Sequence, residues 1–301
     1  MRNLLYYCNI TIKIMQNEIE TFIGLVYEKK QRKRVPKVVA LDLDETIGSF
    51  SHLHILWNGI IKNQLNKDFT SKETFFKVFD IYPEFLREHI FQILYYLYQK
   101  KTHIKSTKIY LYTNNQCNAP WVQYIIDYLE YKLKIPNKLF DHTISAFKIR
   151  NKVIEPNRTT HKKTYSDFIN CAMLPKKTEI CFIDNSYHNE MVHNKIYYIQ
   201  PRSYYHNLSI NSIINRFMNS SIGFDIKNNS ILKDNFISYI YDWFEFNNAN
   251  RYIPKLYNPI NSNSITRKII FHIKEFFYHR QKYNTKKSRK IMSNFTRKIL
   301  L

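Results

Sequence analysis

Two carboxylates stand two positions apart at Asp42 and Asp44, directly after the apolar run Val38, Val39, Ala40, Leu41, and Glu45 and Thr46 follow them. Three acids in four positions are conspicuous in a chain whose formal net charge is +22. As a strand gives way to a loop, both Asp side chains can reach one site. Carboxylates ~4 Å apart repel by about 4 kcal/mol at an effective dielectric of roughly 20, so such a pair shares a proton or a cation. For oxygen ligands the natural cation is magnesium. A carboxylate beside magnesium can attack phosphorus and form an aspartyl phosphate that water later removes. That chemistry also needs donors for the phosphoryl oxygens, a cation, a second metal ligand and a general acid.

Groups of this kind must be carried to one place by strands. From Lys37 to about Gly223 short apolar runs alternate with longer helical patterns, which predicts an α/β fold with a central parallel sheet flanked by helices. The strands are expected at 37–42, 108–113, 179–184 and 195–200, each almost wholly apolar or aromatic, as in strands buried on both faces. Three of them end in Asp42, Thr113 or Asp184. Ligands of open parallel sheets bind beyond the carboxyl ends of the strands, so these polar ends are placed for chemistry. Helices are expected over 82–101, 119–133, 163–173 and 209–218.

The arrangement resembles the haloacid dehalogenase superfamily of phosphatases, whose first motif is an apolar strand followed by D-x-D-x-T, here Asp42 to Thr46. The D-x-D-E-T form is similar to that of the phosphatases acting on the C-terminal domain of RNA polymerase II. The resemblance covers about 170 residues. It implies a HAD-like, Rossmann-type domain and a magnesium-dependent protein serine/threonine phosphatase. By that resemblance Asp42 is the nucleophile and a metal ligand. Asp44 protonates the leaving oxygen, later activates water, and meets the metal through its carbonyl. Thr113 and the amide of Asn114, in "IYLYTNN", hold the phosphoryl group. The motif lysine falls at Lys163, with Lys162 as the alternative, and Asp184 and Asn185 in "ICFIDNS" complete the metal site. Singly these motifs are weak, since D-x-D at a strand end is often a cap and "DNS" a turn. Their conjunction, in order and on separate strands, carries the reading. Departures are the long interval of 69 positions between Asp44 and Thr113, which makes 51–80 a candidate flap or insertion, and Tyr82-Pro83 where the family has Arg-Pro.

The rest of the chain divides into an N-terminal extension over 1–36 with the basic run "KKQRKR", the phosphatase-like domain over 37–223, and a basic, mostly helical extension over 224–301. Residues 267–301 hold eleven Lys or Arg against the single acid Glu275. They read equally as a polyanion-binding arm for nucleic acid or an acidic partner and as a solvated amphipathic helix. The aromatic helix at 236–246 reads as core packing. The four cysteines form no CxxC pair and none heads a C-x5-R loop, which disfavours a thiol phosphatase and zinc binding and points to a reducing, intracellular setting, cytoplasmic or nuclear. The pairs His52/His54 and His188/His193 lack supporting zinc ligands. Apolar stretches reach about half of the roughly 20 residues a membrane span needs, so no membrane association is expected. Two alternatives remain: a catalytically silent phosphoprotein-binding scaffold of the same fold, and a phosphatase of nucleic-acid ends. Glu45, where the latter enzymes carry Gly, disfavours the second.

Overall fold

The computed structural model describes residues 4–8, 11–16, 18–28, 35–63, 71–117, 120–175, 177–250 and 262–278. The basic run over 29–34 and the end of the basic tail, 279–301, lie outside them.

In chain order the strands and helices are β1 Leu4–Cys8, β2 Thr11–Gln16, β3 Ile19–Gly24, β4 Lys37–Leu41, α1 Ser51–Lys62, α2 Lys72–Asp80, α3 Ile90–His103, β5 Thr107–Tyr112 and α4 Trp121–Leu133. There follow β6 His142–Ile144, the hairpin strands β7 Lys148–Ile149 and β8 Lys152–Val153, α5 Tyr165–Ala172, β9 Glu179–Ile183 and β10 Ile196–Pro201. The C-terminal part is α6 Ile210–Met218, α7 Phe224–Asn228, α8 Ser230–Asn250 and α9 Ser262–Tyr278.

The main sheet runs β1-β2-β3-β10-β9-β4-β5-β6. Strands β10, β9, β4, β5 and β6 are parallel, and β1 to β3 form an antiparallel meander that joins along β10. The molecule is thus α/β with a mixed, mostly parallel sheet. Strand β4 sits between β5 and β9, so the chain leaves it in one direction through β5 and returns on its other side through β9. Such a reversal opens a crevice at the carboxyl ends of the strands.

Successive strand residues point to opposite faces and feed two cores. Val39, Leu41, Ile109, Leu111, Cys181 and Ile183 join the larger core with α1 to α4, α6, α8 and α9. Val38, Ala40, Tyr110, Tyr112, Ile180 and Phe182 join Phe168 and Cys171 of α5 in the smaller one. The continuous apolar runs seen in the sequence follow from this burial on both faces.

The elements differ from the sequence reading in three places. The helix expected from residue 82 begins at Ile90: Pro83–Phe85 is a single 3-10 turn, and His89 takes φ 58° before the helix. Gly48 pairs with Leu86, and the buried Arg87 side chain is consumed by the loop after β4, so these residues serve that loop in place of a helix. The described parts of 51–80 are chiefly α1 and α2, whose Leu53, Leu56, Ile60, Phe75, Val78 and Phe79 are fully buried, so these two helices are core structure. Residues 4–24, read as an extension, extend the sheet. In α8, Phe236, Ile240 and Phe244 are buried; a Cβ on Gly59 of α1 would lie 2.9 Å from Ile240 Cδ1, the far end of that side chain, so the two helices approach closely there. Among the described residues no helix is long and apolar enough to cross a membrane.

Candidate active site

The register of the parallel strands decides which polar residues meet. Leu41 is level with Leu111 on one side and Ile183 on the other, so the residues just beyond, Asp42, Tyr112-Thr113 and Asp184, emerge together at the carboxyl edge. The backbone continues the ladder there, with Asp42 N donating to Ile183 O at 2.9 Å and Thr113 N to Ile144 O at 3.0 Å.

Lys163, from the loop before α5, closes the site. Its Nζ donates to Asp42 Oδ1 at 2.5 Å and to Asp184 Oδ2 at 2.7 Å. All three are buried, with residue exposures of 2% for Lys163, 7% for Asp42 and 1% for Asp184. The ammonium also faces the rings of Tyr112 and Phe182, 5.4 and 5.9 Å from their centroids. Lys162 points outward to Glu190, so Lys163 is the lysine brought to the carboxylates. Thr164, next in sequence, caps α5 by accepting from Asp167 N, and this fixes the start of the helix directly after the lysine.

Burial raises the Asp42 pKa, the neighbouring Asp184 adds to it, and Lys163 only partly offsets them, so the carboxyl is pushed up to about 8. Burial would also raise Asp184, but Lys163 and His188 outweigh it and hold this carboxyl below its ordinary value. For Lys163 burial opposes the charge, and the two carboxylates reverse that effect and raise its pKa. His188 Nε2 lies 3.2 Å from Asp184 Oδ2. His193 instead stacks on Tyr165, so the two histidines do not form a pair.

The loop after β4 is held open for Asp44 by several contacts. Glu45 takes φ 57°, Glu45 N donates to Gly48 O at 2.7 Å, and Arg87 donates from Nε to Thr46 O and from Nη2 to Glu45 O. A Cβ at Gly48 would stand 2.5 Å from Phe85 O, so this return also requires glycine. Thr46 Oγ1 donates to Asn185 Oδ1 at 2.7 Å and accepts from Asn185 N at 3.0 Å, which ties the first loop to the one after β9. Asn185 Nδ2 is turned to Ser203 Oγ at 3.0 Å.

Two residues absent from the sequence reading organise the rest. Asn115 Nδ2 donates to Asp44 Oδ2 at 2.9 Å, while Asn115 N donates to Thr113 Oγ1 at 2.9 Å. Arg158 is buried over the Tyr112 ring and donates to the carbonyls of Thr113, Ser145, His161 and Lys162 and to Asn114 Oδ1. It fastens the loop after β5 to the loop that carries Lys163. Asn114 thereby has its side chain directed to Arg158 and away from the carboxylates. The signal for Asn115 was its place two beyond the strand-ending Thr113; nothing local in the sequence marks Arg158 among 46 Lys and Arg.

Among the described residues no group of three His, Cys, Asp or Glu converges as a metal cluster. A magnesium ion requires less, one or two carboxylates with water and substrate oxygens filling the remainder. Asp42 and Asp184 form such an all-oxygen donor set, with Asn185 next to it. Two carboxylates there share the single ammonium of Lys163. These residues fit a hard divalent cation. The sites expected from sequence on Asp42, Asp184 and Lys163 therefore meet directly, with Asp44 and Thr113 joined through Asn115. No protein-family model matches the chain, and no curated protein or solved structure matches it.

Proposed function

We propose that this protein is a magnesium-dependent phosphatase of the haloacid dehalogenase type, working through an aspartyl phosphate on Asp42, with phosphoserine or phosphothreonine of proteins as substrate. The observation that carries the reading is the buried Asp42–Lys163–Asp184 bridge at the carboxyl ends of two adjacent parallel strands. Asp42 attacks phosphorus, the bond from phosphorus to the ester oxygen breaks, and Asp44 gives its proton to the departing alcohol. Water then attacks the phosphoryl group and passes a proton to Asp44; the bond to Asp42 breaks and inorganic phosphate leaves.

Asn115 orients the carboxyl of Asp44 for both proton transfers. The Thr113 hydroxyl accepts from Asn115 N and keeps its own proton for a phosphoryl oxygen. Lys163 holds positive charge against the nucleophile and against the charge of the incoming phosphate. Asp42 and Asp184, with Asn185 and the Asp44 carbonyl, would hold magnesium, which would add neutralisation of the phosphoryl oxygens.

The test is release of phosphate from p-nitrophenyl phosphate, from a phosphoserine peptide and from a 3′-phosphorylated oligonucleotide, each with magnesium and with chelator. Magnesium-dependent turnover of the first two is expected, and Asp42→Asn should abolish it with the fold intact. Turnover that survives in Asp42→Asn would sink the mechanism. Preference for the oligonucleotide would move the substrate to nucleic-acid ends.

A further inference from the structure

The β7–β8 hairpin lies in the chain between β6 and the loop that carries Lys163, and it has no part in the chemistry above. It leaves the sheet directly after β6, whose Ile144 O accepts from Thr113 N. At its base, Ile154 N donates to Phe147 O at 2.9 Å, and the Phe147 ring meets His161, two residues before Lys163, at 5.4 Å. Through Ser145 it shares the Arg158 guanidinium with Thr113.

The hairpin is cationic and unneutralised. Among the described residues no ion pair involves Lys148, Arg150 or Lys152, whereas Lys101, Lys108, Lys132 and Lys162 each reach a carboxylate. Its turn residues Arg150 and Asn151 both take positive φ, 47° and 64°. For a residue such as Arg this left-handed conformation costs about 1–2 kcal/mol, which Gly would avoid. Strain of this kind persists where a side chain is needed. Lys148 pairs with Val153 and Ile149 with Lys152, so each face of the hairpin sets a cation beside an aliphatic side chain. Val153 and Ile154 are 46% and 40% exposed.

We infer that this hairpin is an anion-binding exosite for the substrate polypeptide: it takes carboxylates or further phosphates that flank the phosphorylated residue while that residue occupies the Asp42 site. The inference rests on the phosphatase reading for the identity of the substrate. The aliphatic side chains suit a polypeptide. A nucleic-acid strand would call for exposed rings to stack its bases, and the hairpin's Phe147 is covered by Lys148, 4.9 Å from its centroid, and by His161.

The test uses the full chain with Lys148→Thr, Arg150→Gly and Lys152→Thr combined, a set that suits the strands and relieves the turn. Four substrates are compared: a phosphoserine peptide flanked by aspartates, the same peptide flanked by alanines, p-nitrophenyl phosphate and a 3′-phosphorylated oligonucleotide. The variant should raise KM for the acidic peptide roughly tenfold, with the other three unchanged. The wild-type preference for the acidic peptide should fade at high salt. An unchanged KM for the acidic peptide overturns the proposal. So does a loss confined to a 3′-phosphorylated oligonucleotide. If the wild type hydrolyses nothing, the phosphatase reading fails, and fluorescence anisotropy of the labelled acidic peptide decides the surface independently: tighter binding to wild type than to the variant upholds it, equal binding overturns it.

Discussion

Lys163 sets the electrostatics of the site. Replacing it with Met would leave Asp42 and Asp184 buried together without their shared cation, an arrangement that costs about 3–5 kcal/mol when one partner of a buried pair is removed. Denaturant unfolding should show that loss, magnesium should restore part of it, and turnover should vanish. Asp42, pushed up to about 8, holds a proton through the neutral range when no divalent cation is present. A cation at this carboxylate must displace that proton. Apparent magnesium affinity is therefore expected to rise with pH and level off above about 8, with proton uptake by buffer seen in calorimetry. In Asp42→Asn this pH dependence should disappear. Asn115 acts on a different step, since it touches the Asp44 carboxyl. Asn115→Ala should slow a phosphoserine peptide far more than p-nitrophenyl phosphate, because only the poor alkoxide leaving group needs the acid.

At the scale of elements, the loop from Leu43 to Gly48 is a turn braced from outside its own segment. Arg87 closes it through the carbonyls of Glu45 and Thr46, and the same guanidinium donates to Arg202 O at 2.9 Å. Arg87→Met strips donors from these acceptors, at about 1–3 kcal/mol for each one left buried and unpaired. The expected result is a lower unfolding midpoint together with reduced turnover, since Asp44 rides on that loop. The 82–89 segment is apolar at helical spacing yet only partly helical for the same reason: its residues are committed to the β4 loop. Helices α1 and α8 approach closely at Gly59, where an added Cβ would press on the Ile240 and Tyr239 side chains.

Over the whole molecule, α9 is joined to the edge opposite the site. Tyr197 of β10 and His272 of α9 lie within hydrogen-bonding distance at 3.0 Å, and Lys37 reaches both Glu179 and the carbonyl of Phe276. Burial, aided by Lys268, lowers the His272 pKa to about 4. The folded state thus keeps this imidazole neutral while the unfolded chain takes up a proton near 6.5. Its contribution is fully present above that value and is lost as pH falls from about 6.5 towards 4, amounting to about 3 kcal/mol. His272→Gln should flatten the acid limb of a stability–pH profile in that window. The net charge of +22 adds attraction for polyanions at long range, screened within about 8 Å at physiological salt.

What the sequence determined by itself was local: apolar runs long enough only for buried strands, and polar residues closing them at Asp42, Thr113 and Asp184. Parallel strands buried on both faces must read as continuous apolar segments, so β4, β5, β9 and β10 were legible within a residue or two. The meander β1 to β3 was missed although Thr11 to Ile14 of "TIKIMQ" alternate polar and apolar as strands do, because the basic run after the meander drew the boundary. Only the tertiary structure decided that Lys163 rather than Lys162 meets the carboxylates, since two adjacent lysines are equivalent until a cap at Thr164 orients them. It alone decided the partners of Arg158 and Arg87, whose hydrogen bonds reach residues 44 and 42 positions away. Such contacts are set by sheet order and register, and no local pattern of residue types encodes them.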